Sequence, residues 1–221
     1  MKAALQRALL DALYPPDVAC PLCGRDAFLL PSGACADCDA CLNACPAPVF
    51  TEPLDGLVAA YFYEGLARQA VLRLKYGKAT YLSRFFAGGI ALPEDWKIDC
   101  IVPVPLHWLR EFLRGYNQSE MLAQAISERY PSLPVRKELL FRTRYTRTQT
   151  SLTASARQKN VRGAFRAGNC VKGLSILLVD DVATTRATLR ACARALKKNG
   201  ASRVYACLLY TSDAADERSS V

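Results

Sequence analysis

The chain has 221 residues, 51% hydrophobic and 22% charged, with 29 Lys and Arg against 20 Asp and Glu and a formal net charge of +9. That length can bury one good core and a small satellite, but not two large domains. No apolar run approaches the ~20 residues needed to cross a bilayer, so no membrane insertion is expected. At the start, Leu5, Leu9 and Leu13 recur at helical spacing while Gln6, Arg7 and Asp11 interrupt any signal-like apolar stretch. Lys2 to Tyr14 therefore reads as an amphipathic helix closed by Pro15 and Pro16, and a cytoplasmic location is expected.

Ten cysteines in such a chain point to metal rather than to disulfides. Six fall early, as Cys20-Pro-Leu-Cys23, Cys35-Ala-Asp-Cys38, Cys41 and Cys45. Two Cys-x-x-Cys knuckles joined by a short loop can present four thiolates tetrahedrally, which is the closed arrangement of a structural Zn²⁺ site. Cys20, Cys23, Cys35 and Cys38 are the assigned ligands; Cys38 with Cys41 is an alternative second knuckle, and an iron–sulfur cluster is an alternative use of the thiols. A module this small cannot fold on burial alone, so the metal would supply much of its stability. Residues 1–48 are assigned to the helix and this module.

Beyond Pro46-Ala-Pro48 the composition shifts and a second domain, 49–210, is expected. Gly56 to Tyr63 reads as a strand and Leu66 to Tyr76 as a helix, with Lys75 near its end. Ile101 and Val102 read as a buried strand stopped by Pro103 and Pro105. Arg110 and Arg114 follow, and their planar guanidinium forks match phosphate oxygens. Asn117 and Gln118 open a helix running to Tyr130, with Asn117 its cap. His107, the only histidine, has no carboxylate or serine at motif spacing and makes no case for nucleophilic catalysis. From Arg136 to Lys172 there are ten basic residues against the single acid Glu138. Arg142 to Leu152 within it, including Arg144, lacks periodicity and reads as a mobile loop. A loop that closes over a substrate, a polynucleotide surface and a merely solvated basic face all remain open for it.

Ile176 to Val179 is an aliphatic run that suits a strand buried on both faces. It ends in Asp180 and Asp181, passes through a hydroxyl-rich turn with Thr184, Thr185 and Thr188, and enters a helix from Leu189 to Lys198. A strand, a tight turn and a helix N-terminus gather backbone N–H groups where an anion can sit. Ala201 to Tyr210 reads as a last strand, and 211–221 as a polar, non-native-looking tail expected to be disordered.

The segment Ser175-Ile-Leu-Leu-Val-Asp-Asp-Val-Ala-Thr-Thr-Arg-Ala-Thr188 resembles the phosphoribosyl pyrophosphate (PRPP) motif of type I phosphoribosyltransferases. The whole chain is similar to the ComF family of competence proteins, in Leu74-Lys-Tyr-Gly77, Val102-Pro-Val-Pro105, Arg114-Gly-Tyr-Asn-Gln118, Arg157-x-x-Asn160 and the four-cysteine start. The resemblance implies an α/β domain with a mostly parallel sheet of the type I phosphoribosyltransferase kind, behind a small zinc module. It implies that Asp180 and Asp181 engage ribose hydroxyls with Mg²⁺. Ala183, Thr184, Thr185, Arg186, Ala187 and Thr188 would then hold the 5′-phosphate. Lys75, Arg110, Arg114, Arg142 and Arg144 become candidates for the diphosphate or the closing loop. In one respect the chain departs from the family: glycine follows the two threonines there, and Arg186 stands here. No catalytic base can be named, since Thr184 stands where some purine-base transferases place an Asp. The implied function is a PRPP-binding, phosphoribosyltransferase-like protein of DNA uptake or nucleotide metabolism. The alternative is a non-catalytic accessory that binds single-stranded DNA beside the competence helicase machinery. A nucleotide-hydrolysing motor is not supported, because no Gly-x-x-x-x-Gly-Lys-Ser/Thr loop is present.

Overall fold

The computed structural model describes residues 19–45, 49–62, 65–145, 160–183 and 187–211. The expected N-terminal helix and the tail beyond Thr211 lie outside the described residues, as does 146–159 of the basic segment. The elements run in chain order from helix α1 (Ala36–Asp39) through β1 (Val49–Thr51), β2 (Leu54–Phe62), α2 (Gly65–Tyr76), α3 (Leu82–Gly88) and β3 (Cys100–Pro103). Then come α4 (Trp108–Arg114), α5 (Gln118–Arg129), β4 (Leu140–Arg142), β5 (Phe165–Ala167), β6 (Ser175–Ala183), α6 (Ala187–Lys198) and β7 (Arg203–Thr211).

Five strands form the central sheet in the order β1-β2-β7-β6-β3, with only β1 antiparallel to its neighbour. Parallel strands are joined by crossovers that cover both faces, so their residues are apolar on both sides. β6 shows this directly: Ile176, Leu177, Leu178 and Val179 are all fully buried. Leu177 and Val179 join Tyr205, Cys207 and Leu209 in the core beneath α2, α3 and α5. Ile176 and Leu178 join Val204, Ala206 and Leu208 on the other face, beneath α6. At roughly 1.5–3 kcal/mol for each large side chain removed from water, this strand contributes heavily to stability. Pro103 is tolerated at the end of β3 because β3 is the sheet's edge. That edge is itself covered, since Ile101 N–H donates to Pro134 O at 2.9 Å and Arg136 N–H to Ile101 O at 2.8 Å.

A second, two-stranded sheet pairs β4 with β5 in antiparallel register, Arg142 opposite Phe165. This corrects the reading of a loop beginning at Arg142: strand pairing to a partner more than twenty residues away overrides a local sequence with no alternation. β7 likewise runs one residue past the expected boundary, because Thr211 pairs with Phe62 and Ala183. Among the described residues, no helix is long and apolar enough to cross a membrane.

Candidate functional site

The two knuckles fold as the cysteine spacing requires. Gly24 N–H donates to Cys20 O at 2.7 Å, Gly24 adopting φ +75°, and Cys41 N–H donates to Cys38 O at 3.1 Å. The sulfur atoms of Cys20, Cys23, Cys35 and Cys38 all lie within 4.8 Å of one another, with 3.8 Å between Cys23 and Cys35. Tetrahedral Zn–S bonds of ~2.3 Å would put sulfurs about 3.8 Å apart, so the cluster could hold such a metal ion. The Arg25 backbone N–H, followed by its guanidinium, lowers the Cys23 thiol to about 6, whereas burial pushes Cys38 upward. Cys41 is exposed and stands outside the cluster. Cys20, Leu22, Ala34, Cys35 and Cys38 belong to the same core as α2 and α3, and Arg73 Nη1 donates to Leu22 O at 2.6 Å.

The acidic pair lies near the end of the interior strand β6. Asp180 and Asp181 occupy the last part of β6 and are 9% and 4% exposed. Two adjacent buried carboxylates are costly unless compensated. The compensation comes from distant segments. Lys75 Nζ lies 2.9 Å from Asp181 Oδ2, and Ser119 Oγ donates to Asp180 Oδ1 at 2.9 Å. Burial first and the charge of Asp181 second raise the Asp180 carboxyl, Ser119 and Lys75 oppose them, and the net is about 7.

Ser119 was not anticipated from sequence, and its position has a local cause. Gly115, at φ +85°, ends α4 and turns the chain back toward β3. Asn117 then anchors the next helix: its Nδ2 donates to Val104 O at 3.1 Å while its Oδ1 accepts from Ser119 N–H at 3.0 Å. The expected cap is thus also the tie that brings Ser119 to Asp180. Tyr116 adds a second tie, donating through its hydroxyl to Leu74 O beside Lys75.

Lys75, Tyr76, Lys78, Arg110, Leu113, Arg114 and Tyr116 line a cavity of about 380 Å³, which Lys75 ties to Asp181. Four of those seven side chains are cationic and none is acidic, which suits a polyanion. Arg114 also stacks over Tyr76 at 5.1 Å and reaches Gln118 Oε1. Lys75, Arg110 and Arg114 are therefore brought together as the resemblance implied, Lys75 serving meanwhile as the counterion of Asp181. Arg142 and Arg144 are not brought there. Arg142 stacks over Phe165 at 5.2 Å, and Arg144 Nη2 donates to Asn160 O at 3.0 Å and Arg162 O at 2.8 Å. Ala183 ends β6, Ala187 is buried at the start of α6 and Thr188 is half-buried beside it. Thr184, Thr185 and Arg186 lie outside the described residues. His107 caps α4, accepting from Leu109 N–H at 3.3 Å.

Comparison with known proteins places this architecture. "DNA utilization protein YhgH" of Escherichia coli K12 is 34% identical over 206 residues, covering 87% of this chain and 84% of the relative. "Competence protein F" of Haemophilus influenzae is 32% identical over 165 residues, covering 70% of this chain and 66% of the relative. The chain belongs to the ComF family. A phosphoribosyl transferase domain matches residues 116–220, the part of this ComF-family chain that carries Ser119 and the acidic pair. Among solved structures, a Bacillus subtilis glutamine PRPP amidotransferase complexed with ADP and GMP overlaps 59% of this chain and 25% of its own. That overlap has 21% identity and a TM-score of 0.39, too loose to bear on function.

Proposed function

We propose that this ComF-family chain binds PRPP at the carboxyl end of β6 and acts as a phosphoribosyltransferase-like protein on a zinc-stabilised scaffold. The observation that carries the reading is the pairing of opposites: two buried carboxylates joined through Lys75 to a cavity with four cationic side chains. A phosphorylated sugar needs both. Asp180 and Asp181 would accept hydrogen bonds from the ribose hydroxyls, and Lys75, Arg110 and Arg114 would hold the diphosphate. Two carboxylates are also the hard oxygen donors that Mg²⁺ takes, and the ion would supply charge compensation between diphosphate and ribose. On binding, Lys75 would exchange Asp181 for a phosphate oxygen. Residues 184–186, which precede α6 in sequence, would take the 5′-phosphate. Four thiol groups within tetrahedral reach make Zn²⁺ the fitting ion for the N-terminal module.

A second reading, that the chain binds single-stranded DNA without catalysis, is favoured by the run of basic residues from Arg136 to Lys172 and by the DNA-utilization name of its relative. Calorimetric titration separates the two. PRPP with Mg²⁺ should bind wild type and lose binding in Asp181→Asn, whereas DNA binding should weaken steeply with salt as counterions are released. Failure of PRPP to bind metal-replete protein would end the first reading.

A further inference from the structure

Arg73 lies two residues before Lys75 on α2, and the two side chains reach different parts of the molecule. Arg73 Nη1 donates to Leu22 O at 2.6 Å, and its Nη2 donates to the Tyr81 hydroxyl just ahead of α3. Lys75 Nζ lies 2.9 Å from Asp181 Oδ2 and lines the cationic cavity. Leu74 stands between them in sequence, fully buried in the core. Successive residues project about 100° apart around a helix. With Leu74 in the core, Arg73 and Lys75 are therefore the two arms of a lever, one on each flank of it. A bond that fixes one arm fixes the roll of the helix, and so the aim of the other.

The far end of the Arg73 arm is the first cysteine knuckle. Leu22 is 4% exposed and falls between Cys20 and Cys23, so two flanking thiolates held by one ion would set the direction of its carbonyl. The end of α2 is organised around the same arginine. Gly77 N–H and Ala79 N–H converge on Arg73 O at 2.8 and 3.4 Å, and the Tyr116 hydroxyl donates to Leu74 O. A continuous path thus runs from knuckle to guanidinium, through the last turn of α2, to the ammonium group and Asp181.

Resting on the PRPP and zinc readings, we infer that Arg73 is a positioning residue that couples metal in the four-cysteine module to anion binding in the cationic cavity. With the ion bound, Leu22 O holds the guanidinium, and Lys75 is aimed at Asp181 and the cavity. Without it the knuckle no longer presents a fixed acceptor, the last turn of α2 rolls about Leu74, and Lys75 loses its set position. The acidic pair stays buried, with Ser119 still donating to Asp180. Metal loss therefore weakens the phosphate site without unfolding the sheet. The coupling is reciprocal, so an occupied cavity favours the metal-loaded module by the same factor.

The test compares wild type, Arg73→Met and Tyr81→Phe as full, zinc-replete chains, and again after a chelator has removed zinc and been dialysed away. In calorimetry with PRPP and Mg²⁺, zinc removal should weaken wild type about fivefold or more, within the range of coupling between sites. Arg73→Met should keep its zinc yet bind PRPP as weakly as zinc-free wild type, with no further loss when zinc is removed. An arginine with a merely structural role would give losses that add. Tyr81→Phe keeps the bond to Leu22 and should keep the zinc dependence. Hydrogen exchange supplies a readout that needs no ligand: the amides of Gly77 and Ala79 should exchange faster in zinc-free wild type and in zinc-replete Arg73→Met alike. The inference is overturned if wild type carries no zinc, if Arg73→Met binds PRPP like wild type, or if zinc removal weakens both proteins by the same factor. If PRPP binds no form of the protein, the sugar-phosphate reading falls by itself. Exchange then decides the coupling, and amides of Gly77 and Ala79 unchanged in Arg73→Met would end it.

Discussion

Two places in this chain crowd groups of like charge together, and they are stabilised in different ways. In the N-terminal module the four thiols come from residues 20–38 and all lie within 4.8 Å, with the guanidinium of Arg25 acting on Cys23 alone. At the end of β6 the two carboxylates draw Lys75 from α2 and Ser119 from α5, the latter 61 residues away in sequence. One guanidinium at one of four thiols leaves the rest to be held by a bound cation, as proposed, whereas the acidic pair has its compensation built in. Losing the ligand should unfold the first and leave the second standing.

The largest effect expected from that contrast follows from breaking the thiol cluster. Cys20→Ser should reduce bound zinc from about one equivalent to none, as four-thiolate stoichiometry requires, and Cys41→Ser should retain it. Hydrogen exchange should rise across 19–45. The melting temperature of the whole chain should fall too, because Cys20, Cys35 and Cys38 share a core with α2 and α3. The domain built on the five-stranded sheet should still fold. Elemental analysis showing metal retained in Cys20→Ser would refute the assignment.

Next in size is Lys75→Met, which leaves Asp181 buried without its cation. Removing one partner of a buried pair costs about 3 kcal/mol, and Mg²⁺ should restore more stability to this variant than to wild type. Asp180 adds a pH signature. Its folded value of about 7 exceeds the ordinary aspartate value near ~4. The folded state therefore takes up this proton first, and the stability so contributed is complete below about pH 4, falls as pH rises toward 7, and is gone above it. Asp180→Asn should flatten that decline in urea titrations. PRPP binding should run the opposite way, strengthening as Asp180 ionises. A wild-type-minus-variant stability difference that does not change from pH 5 to 8 would contradict this.

Ser119→Ala is a smaller perturbation of the same site. Losing one hydrogen bond to a charged group costs roughly 1.5 kcal/mol. With the donor gone, Asp180 should hold its proton to higher pH, and the midpoint of pH-dependent PRPP binding should move up. A lower affinity with an unmoved midpoint would make Ser119 a packing residue only.

These long-range partners mark where the sequence stopped being informative. β3, β6 and β7 were legible because doubly buried parallel strands are continuous aliphatic runs, and β6 is fully buried from Ile176 to Val179. The knuckles were legible because their ligands are local. β4 and β5 were not, since three-residue strands pairing Leu140 with Ala167 show no period. Nor was α4, whose Trp108, Phe112 and Leu113 are 70–80% exposed and so trace no buried face. The motif makes Lys75 only a candidate for a phosphate, and nothing near it in sequence announces Asp181. Ser119 had no signal beyond its place after a capping asparagine.

The smallest expected effect concerns Arg186, where the chain departs from its family's glycine between β6 and α6. A glycine in a phosphate-binding turn admits close approach of backbone to phosphate and a left-handed conformation at no steric cost. An arginine there either adopts that conformation at roughly 1 kcal/mol or moves its amide away from the anion. Either route weakens the 5′-phosphate contact without touching Asp180 or Asp181. Arg186→Gly should accordingly tighten PRPP by about fivefold, the equivalent of roughly 1 kcal/mol. The gain should vanish in an Asp181→Asn background, where the ribose contacts are already lost. Calorimetry of the single and double variants decides between this and a direct guanidinium–phosphate contact, which would make Arg186→Gly bind PRPP more weakly than wild type.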